Sequence, residues 1–244
     1  MPGMGGIQGE DKQEDLGLGL KPGANQYRAY VGPPGDFDLV AAMSFSLLAA
    51  LGLRQQHRLL DVGCGSLRVG RLLIPYLNRG GYVGIEPNGW LVKEGVEREI
   101  GADLVRIKAP VVHVSDSTAG LPLESSRPFD FALAQSVFSH TGTDLLARWL
   151  KEISALLGPA GVLAATFLPA AKDARETGWV YPGCVRYRPE TMAALGKACG
   201  LRVLPLDWRH PRQSWLLFAR DGFDLSWLKK HPLGWNSRFD FGPR

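Results

Sequence analysis

Apolar positions along this chain follow two different periods, and their order predicts a sequence of strands and helices. Short apolar runs typical of buried strands cover residues 58–62, 82–86, 111–115, 129–134, 161–167, 201–208 and 214–220. Stripes with helical spacing cover residues 37–51, 67–77, 89–100, 143–157 and 189–199. Strands that alternate with helices form a parallel sheet with right-handed crossovers.

The last two predicted strands break this alternation. Only residues 209–213 separate them, which is too short for a crossover helix, so the pair must be antiparallel. The pattern predicts an α/β fold: a Rossmann-like three-layer sandwich whose seven-stranded, mostly parallel sheet ends in a C-terminal antiparallel hairpin. Within the helix predicted over 67–77, Pro75 removes a backbone donor, so we expect a kink or an early end there.

The chain length of 244 residues suits a single α/β domain. Residues 1–24 contain almost no large apolar side chains and cannot offset the entropy of ordering, so we expect them to be disordered. We assign residues 25–220 to the domain and residues 221–244 to an aromatic and basic C-terminal tail.

Composition excludes several classes of protein. The net charge of +4 is small and unclustered, which argues against a nucleic-acid partner. The three cysteines lack the spacing of a zinc site or of a disulfide framework, so we expect no metal and a reducing, cytoplasmic setting. No apolar run is long enough to span a bilayer, and the first residues lack a basic segment followed by an apolar one, so we expect the protein to be neither secreted nor membrane-spanning.

The most informative segment is LLDVGCGSLRVGRLL, residues 59–73, where an apolar strand leads through a glycine loop into a helix. Gly63 and Gly65 allow a ligand to approach the backbone closely, and the helix N-terminus favours an anionic group. Glu86, at the end of the second predicted strand, is placed to accept both hydroxyls of a ribose. Together they predict a site for an adenosine-containing cofactor.

At these residues the chain resembles the class I S-adenosylmethionine-dependent methyltransferases, over about residues 37–220. The loop at 61–66 is similar to that family's first motif, VGIEP at 83–87 to its acidic second motif, and LLGPAGVLAATF to its LxPGG turn and fifth strand. The resemblance implies S-adenosylmethionine as cofactor and transfer of its methyl group. The residues that it implies for cofactor binding are Asp61, Gly63, Cys64 and Gly65 at the amino-acid end, Glu86 at the ribose, Asp116 at the adenine and Gln135 beside the methyl group.

Two residues depart from the family pattern. Leu67 stands where many members have a third glycine, which puts the path of the loop in question, and Ala160 replaces a glycine in the PGG turn. Because the methyl group of a sulfonium is already activated, positioning of the acceptor supplies most of the catalysis.

Residues 134–141, AQSVFSHT, follow the fourth strand, at the sheet edge where such folds bind ligands. His140 is the candidate general base; the alternative is a histidine that only stabilises its loop. This segment lacks the Asn-Pro-Pro-Tyr or Asp-Pro-Pro-Tyr sequence of enzymes that methylate base amines, so we expect a small-molecule acceptor.

The loop at 176–188 is rich in aromatic and arginine residues that suit the roof of a substrate pocket. An ordinary surface loop over the sheet is the alternative. Two tyrosines that precede the first helix are candidates for a lid on the same pocket. The candidate pocket residues are Tyr27, Tyr30, Trp179, Tyr181, Arg186 and Tyr187.

Two other functions share some of these features. A nicotinamide-dependent dehydrogenase also uses a glycine loop and an acid after the second strand, but Arg68 stands where G-x-G-x-x-G needs its third glycine, and the antiparallel hairpin does not fit. A module that binds the cofactor without transferring methyl groups remains a second alternative. The identity of the acceptor is not encoded in any recognisable motif.

Overall fold

The fold is built on one seven-stranded sheet with the strand order β3-β2-β1-β4-β5-β7-β6. The computed structural model describes residues 16–121, 127–226 and 228. The strands are β1 (Leu59–Val62), β2 (Tyr82–Ile85), β3 (Val111–His113), β4 (Phe129–Ala134), β5 (Leu157–Phe167), β6 (Arg202–Leu206) and β7 (Ser214–Ala219). The first five pair in parallel, and β7 pairs antiparallel with both β5 and β6. The predicted fold class is confirmed.

Helices cover both faces of the sheet. They are α1 (Tyr27–Tyr30), α2 (Phe37–Ala50), α3 (Gly70–Tyr76), α4 (Gly89–Gly95), α5 (Gly101–Lys108), α6 (Thr143–Leu156) and α7 (Pro189–Ala198). One buried apolar cluster joins α6 and α7 to the sheet, with Trp149 and Met192 among its members. The other joins α2 and α3 to the opposite face, through Leu47 and Leu73. The result is the three-layer sandwich that the periodicity predicts.

The first crossover differs from its predicted path. Helix α3 begins at Gly70 rather than at Leu67, because Leu67 has a left-handed backbone with φ +59°. Leu67 thus takes the conformation that a glycine would adopt most easily, and the loop retains its turn without the third glycine. The helix ends at Tyr76, one residue after Pro75, as the missing backbone donor predicts.

Two other segments differ from the sequence-based expectation. The helix predicted over 89–100 divides into α4 and a π-helical turn at Val96–Ile100, and α5 follows without having been predicted. None of the residues of α5 is buried, so this helix lacks the apolar stripe that would indicate it. Strand β5 begins at Leu157 rather than at residue 161 and is irregular where it pairs with β4.

An N-terminal arm, residues 25–31, lies over the carboxyl edge of the sheet and is held there by a buried ion pair. The Arg28 guanidinium contacts the carboxylate of Glu99 at 2.7 Å, and the Tyr27 hydroxyl donates to the same carboxylate at 3.0 Å. Arg71 of α3 lies 3.6 Å from Glu99. The Ser66 hydroxyl also donates to the Tyr27 carbonyl at 2.9 Å, so the arm is tied to the glycine loop itself.

The ends of the chain are described only in part. Residues 1–15, 227 and 229–244 lie outside the described residues. They include most of the segment that is predicted to be disordered, 1–24, and most of the predicted tail, 221–244. Residues 16–24 form turns, and the Gly23 N–H donates to the Ala29 carbonyl at 2.8 Å. Leu228 is buried against the α2 and α3 face. Within the described ranges, none of the helices combines the length and the apolar character needed to cross a bilayer.

Removal of residues 1–24 is expected to change the melting temperature by only a few degrees. Among the described residues of this segment, 16–24, Leu16 is half-buried and Leu18 and Leu20 are 67% and 42% exposed, so these residues add little apolar burial. Thermal unfolding of a chain that starts at Asn25 checks this expectation against the full-length protein. A fall much larger than a few degrees would show that the segment contributes to the core.

Candidate functional site

A cavity of about 340 Å³ opens at the carboxyl ends of β1, β2 and β4, below the N-terminal arm. This is the edge at which open α/β sheets bind their ligands. The sequence-predicted residues that line it are Tyr30, Gly63, Gly65, Glu86, Gln135, His140, Trp179 and Tyr181. Residues from five separate parts of the sequence therefore meet in one place.

The glycine loop forms the floor of this cavity, and its shape requires glycine at two positions. Gly63 and Gly65 have φ values of +66° and +55°. A Cβ atom on Gly63 would lie 2.6 Å from the Val137 side chain, and one on Gly65 would lie 2.7 Å from Val31. Because neither contact is sterically possible, only glycine fits at both positions, between Val137 on one side and the arm on the other.

Glu86 is held rigidly at the end of β2. Its Oε2 atom accepts the Gly65 N–H at 3.0 Å, and its Oε1 atom accepts the backbone N–H and the side-chain amide of Asn88 at 2.9 and 2.7 Å. Burial raises the pKa of Glu86, and the three hydrogen bonds lower it. The side chain is 6% exposed and lines the cavity, which is the geometry expected of a carboxylate that binds ligand hydroxyls.

The end of β4 is strained where it reaches the cavity. Ser136 has a left-handed backbone with φ +60°, which is unusual for a residue other than glycine. Its N–H donates to the Thr166 hydroxyl of β5 at 2.7 Å, and this bond holds the strained turn. The turn places Gln135 and Ser136 on the cavity wall, and strain of this kind is typical of functional sites.

His140 lines the cavity in a defined tautomer. Its Nδ1 atom lies 2.6 Å from the Gly183 carbonyl, and a carbonyl can only accept, so Nδ1 carries the proton. Burial lowers the pKa of His140, and the bond to Gly183 partly opposes that shift. The ring is therefore neutral at pH 7, with Nε2 as its basic nitrogen.

Aromatic side chains form the outer wall. The rings of Tyr30 and Tyr181 lie 5.0 Å apart, Tyr181 lies 5.0 Å from the His140 ring, and the Tyr181 hydroxyl donates to the Tyr30 carbonyl. On its other side Tyr30 packs edge-to-face on Trp90 at 5.1 Å. Backbone hydrogen bonds from Val180 to His140 and from Gly142 to Gly178 fix the 176–188 loop above the AQSVFSHT segment. The arm and this loop thus meet over the cavity.

Three residues predicted to bind the cofactor lie away from the cavity lining. Asp61 is buried, and its carboxylate accepts the Tyr82 hydroxyl at 2.8 Å; burial raises its pKa to about 7. Cys64 is buried against Gly84, and burial raises its pKa. Asp116 is exposed beyond β3, and its carbonyl accepts from Arg148. The roles of these three residues stay predictions.

Three residues predicted to line the substrate pocket also lie elsewhere. Tyr27 packs on Phe37 and donates to Glu99, so it anchors the arm. Tyr187 is buried and donates to the Thr141 carbonyl at 2.6 Å, which stabilises the base of the loop. Arg186 is exposed. The structure brings none of them to the cavity.

The cavity also contains residues that sequence analysis did not select, chiefly Arg68, Asn88, Leu91 and Val137. Arg68 was considered only as a departure from the dinucleotide-binding motif. His210, in the turn before β7, lies behind the wall with its Nε2 atom 3.0 Å from the Gln135 amide nitrogen. Burial lowers the pKa of His210 to about 4. No local motif signals these residues, because they reach the site through tertiary packing.

Comparisons with known proteins agree with this fold. Residues 60–163 match the sequence profile of a family described as methyltransferase domain. A sequence search among curated proteins found no match.

Solved structures with the same fold include three methyltransferases. Magnesium protoporphyrin IX methyltransferase from Synechocystis PCC 6803, with bound S-adenosylmethionine, has a TM-score of 0.57 and 14% identity over 77% of this chain and 81% of that one. The sugar N-methyltransferase KedS8 from Streptoalloteichus has a TM-score of 0.55 and 19% identity over 90% and 98%. The 1,6-didemethyltoxoflavin-N1-methyltransferase of Burkholderia thailandensis has a TM-score of 0.54 and 20% identity over 77% and 80%.

Two independent findings agree on the class of protein. The sheet order with its antiparallel β7 and the glycine loop with Glu86 place the cavity where the sequence predicts a cofactor site. The profile match covers the first five strands up to the middle of β5. Residues 60–163 therefore have the sequence profile of a methyltransferase domain, and the sheet as a whole has the fold of the similar methyltransferase structures.

Proposed function

We propose that this protein transfers a methyl group from S-adenosylmethionine to a small-molecule acceptor that binds beside His140. The observation that carries the proposal is the meeting of Glu86, the glycine loop, Gln135 and His140 on one cavity. The cavity volume of about 340 Å³ lies at the lower end of the range of ~300 to 1,000 Å³ for ligand pockets.

The residues present fit the cofactor. Glu86 would hold the ribose hydroxyls, and the loop of Gly63 and Gly65 would receive the amino-acid end, where a side chain at either glycine would collide with its neighbours. When bound, the cofactor supplies an activated methyl group on a positive sulfur. The protein's own contribution is to orient the acceptor and to exclude water.

His140 would remove the proton from the acceptor's nucleophile. Its Nδ1 proton is bound to Gly183, so Nε2 is the nitrogen that can accept another proton. Tyr30, Trp179 and Tyr181 give the acceptor an apolar wall. We infer an acceptor with an apolar face and a hydroxyl or amine to be methylated. The names of the similar structures, which act on a porphyrin, a sugar and a toxoflavin precursor, support a small molecule as acceptor.

We further propose that the functional unit spans residues 25–220, beyond the matched 60–163, because arm residue Tyr30 and roof residues Trp179 and Tyr181 line the cavity. A cytoplasmic location, without nucleic-acid or membrane partners, is part of the same proposal. Cys64, Cys184 and Cys199 are all unpaired, which suits a reducing compartment.

Methyl transfer can be tested with the purified protein, S-adenosylmethionine and a fractionated metabolite extract. We expect S-adenosylhomocysteine to accumulate with one fraction, and mass spectrometry to show a product heavier than its precursor by one methylene unit. The same assay on the Glu86→Ala variant is the control for background turnover. Tight cofactor binding without turnover in any fraction would favour the non-catalytic module instead.

A further inference from the structure

Arg68 is a buried cation on the cavity wall without a carboxylate partner. Its exposed fraction is 7%, and its guanidinium donates to two neutral oxygens, the Val31 carbonyl at 2.9 Å and Gln135 Oε1. In the described part of the chain, none of the ion pairs within 4.0 Å includes Arg68. Both direct partners of the Arg68 guanidinium are therefore neutral.

The neighbouring carboxylates contact other groups and do not contact Arg68. Asp61 accepts the Tyr82 hydroxyl at 2.8 Å, and Asp36 pairs with Arg212 at 2.8 Å. Glu86 accepts three hydrogen bonds from Gly65 and Asn88. Burial and the Arg212 guanidinium lower the pKa of Arg68, the charges of Asp61 and Asp36 raise it, and the net result is a pKa lowered to about 10. The surroundings therefore disfavour the Arg68 cation unless an anion joins it.

A purely structural role does not account for this arrangement well. Tying the arm to β4 needs only a hydrogen-bond donor, which a neutral side chain could supply. The cost of burying a charge exceeds what bonds to neutral carbonyls return. A guanidinium that is buried, lines a cavity and lacks a counter-ion is the arrangement expected where the ligand brings the anion.

We propose that Arg68 binds the α-carboxylate of the methionine moiety of the cofactor, an inference that rests on the proposed function. Arg68 follows Gly63 and Gly65 on the same loop, which is the part of the cavity assigned to the amino-acid end. Leu67, with its left-handed backbone, separates the glycines from Arg68 at the turn into α3. The chain thus has a charged carboxylate-binding residue at the position where dinucleotide-binding loops have their third glycine.

The test compares S-adenosylmethionine with decarboxylated S-adenosylmethionine, which lacks only the carboxylate. Calorimetry on the wild type is expected to show about 30-fold tighter binding of the carboxylated form. In Arg68→Gln this preference is expected to shrink to within about threefold, while the dissociation constant of the decarboxylated form stays close to that of the wild type. Binding of the decarboxylated form also shows that the variant is folded. Arg212→Gln, which removes a neighbouring guanidinium already paired with Asp36, is the matched control and should keep the preference.

Three results would overturn the inference. Equal weakening of both ligands by Arg68→Gln would show a structural role only. If Arg68→Gln keeps the wild-type preference for S-adenosylmethionine over its decarboxylated form, the carboxylate binds elsewhere. The same conclusion holds if the variant raises only the KM of the acceptor. If the wild type binds S-adenosylmethionine and its decarboxylated form equally well, the carboxylate has no charged partner. If the wild type binds neither ligand, the proposed function itself has failed, and the result is distinct from the other three.

Discussion

Replacing Glu86 with alanine is expected to weaken S-adenosylmethionine binding about 100-fold. A carboxylate that accepts two ribose hydroxyls makes two charge-assisted hydrogen bonds, each worth ~1.5 kcal/mol or more, and each 1.4 kcal/mol is tenfold in affinity. The variant also loses the contacts of Glu86 to Gly65 and Asn88, so the loop that faces the cofactor is less ordered. Calorimetric titration of both proteins measures the effect.

Two further variants distinguish a binding role of Glu86 from general damage. Glu86→Gln has one acceptor oxygen where the wild type has two, and we expect a partial loss of affinity. Glu97, a carboxylate on the π-helical turn with a side chain 58% exposed, is the control, and Glu97→Ala should bind like the wild type. A dissociation constant that Glu86→Ala leaves unchanged would remove Glu86 from the site.

Replacing His140 with alanine is expected to lower kcat ~10²-fold or more without changing cofactor affinity, since general-base catalysis typically contributes that much. The neutral ring with a free Nε2 atom is the active form, and burial keeps its pKa below 6.5. Wild-type activity should therefore fall on acidification with a midpoint below pH 6.5. This acidic limb should be absent from the residual activity of the variant.

The matched control for His140 is His57, which lies before the amino end of β1, at the opposite edge of the sheet from the cavity. His57→Ala should retain wild-type kcat and the same pH profile. If His140→Ala hardly changes turnover, proximity alone accounts for methyl transfer, and His140 only stabilises its loop through Gly183.

The sequence predicted the sheet and the floor of the site because both depend on local signals. Gly63, Gly65 and Glu86 follow the ends of strands that the apolar pattern marks, and parallel strands bring those ends to one edge. Helix α5 was missed because a helix without buried residues has no apolar stripe.

The position of the other site residues depends on contacts between parts of the chain that are distant in sequence. Asp61 accepts a hydrogen bond from Tyr82 on the neighbouring strand, a contact that no motif encodes, and its expected place at the cofactor stays a prediction. Arg68 was used only to exclude a dehydrogenase, because its burial depends on Val31 and Gln135, which are 37 and 67 residues away in sequence. Tertiary packing thus determined which charged residues reach the cavity.

The most direct test of the central claim is a calorimetric titration of the wild-type protein with S-adenosylhomocysteine and, separately, with NAD. Both ligands contain adenosine, so Glu86 and the glycine loop would be used by either one, whereas the sheet order with its antiparallel β7 is that of the similar methyltransferase structures. We predict micromolar-range binding of S-adenosylhomocysteine and no measurable binding of NAD. Micromolar binding of NAD with none of S-adenosylhomocysteine would contradict the assignment of this cavity to a methyltransferase.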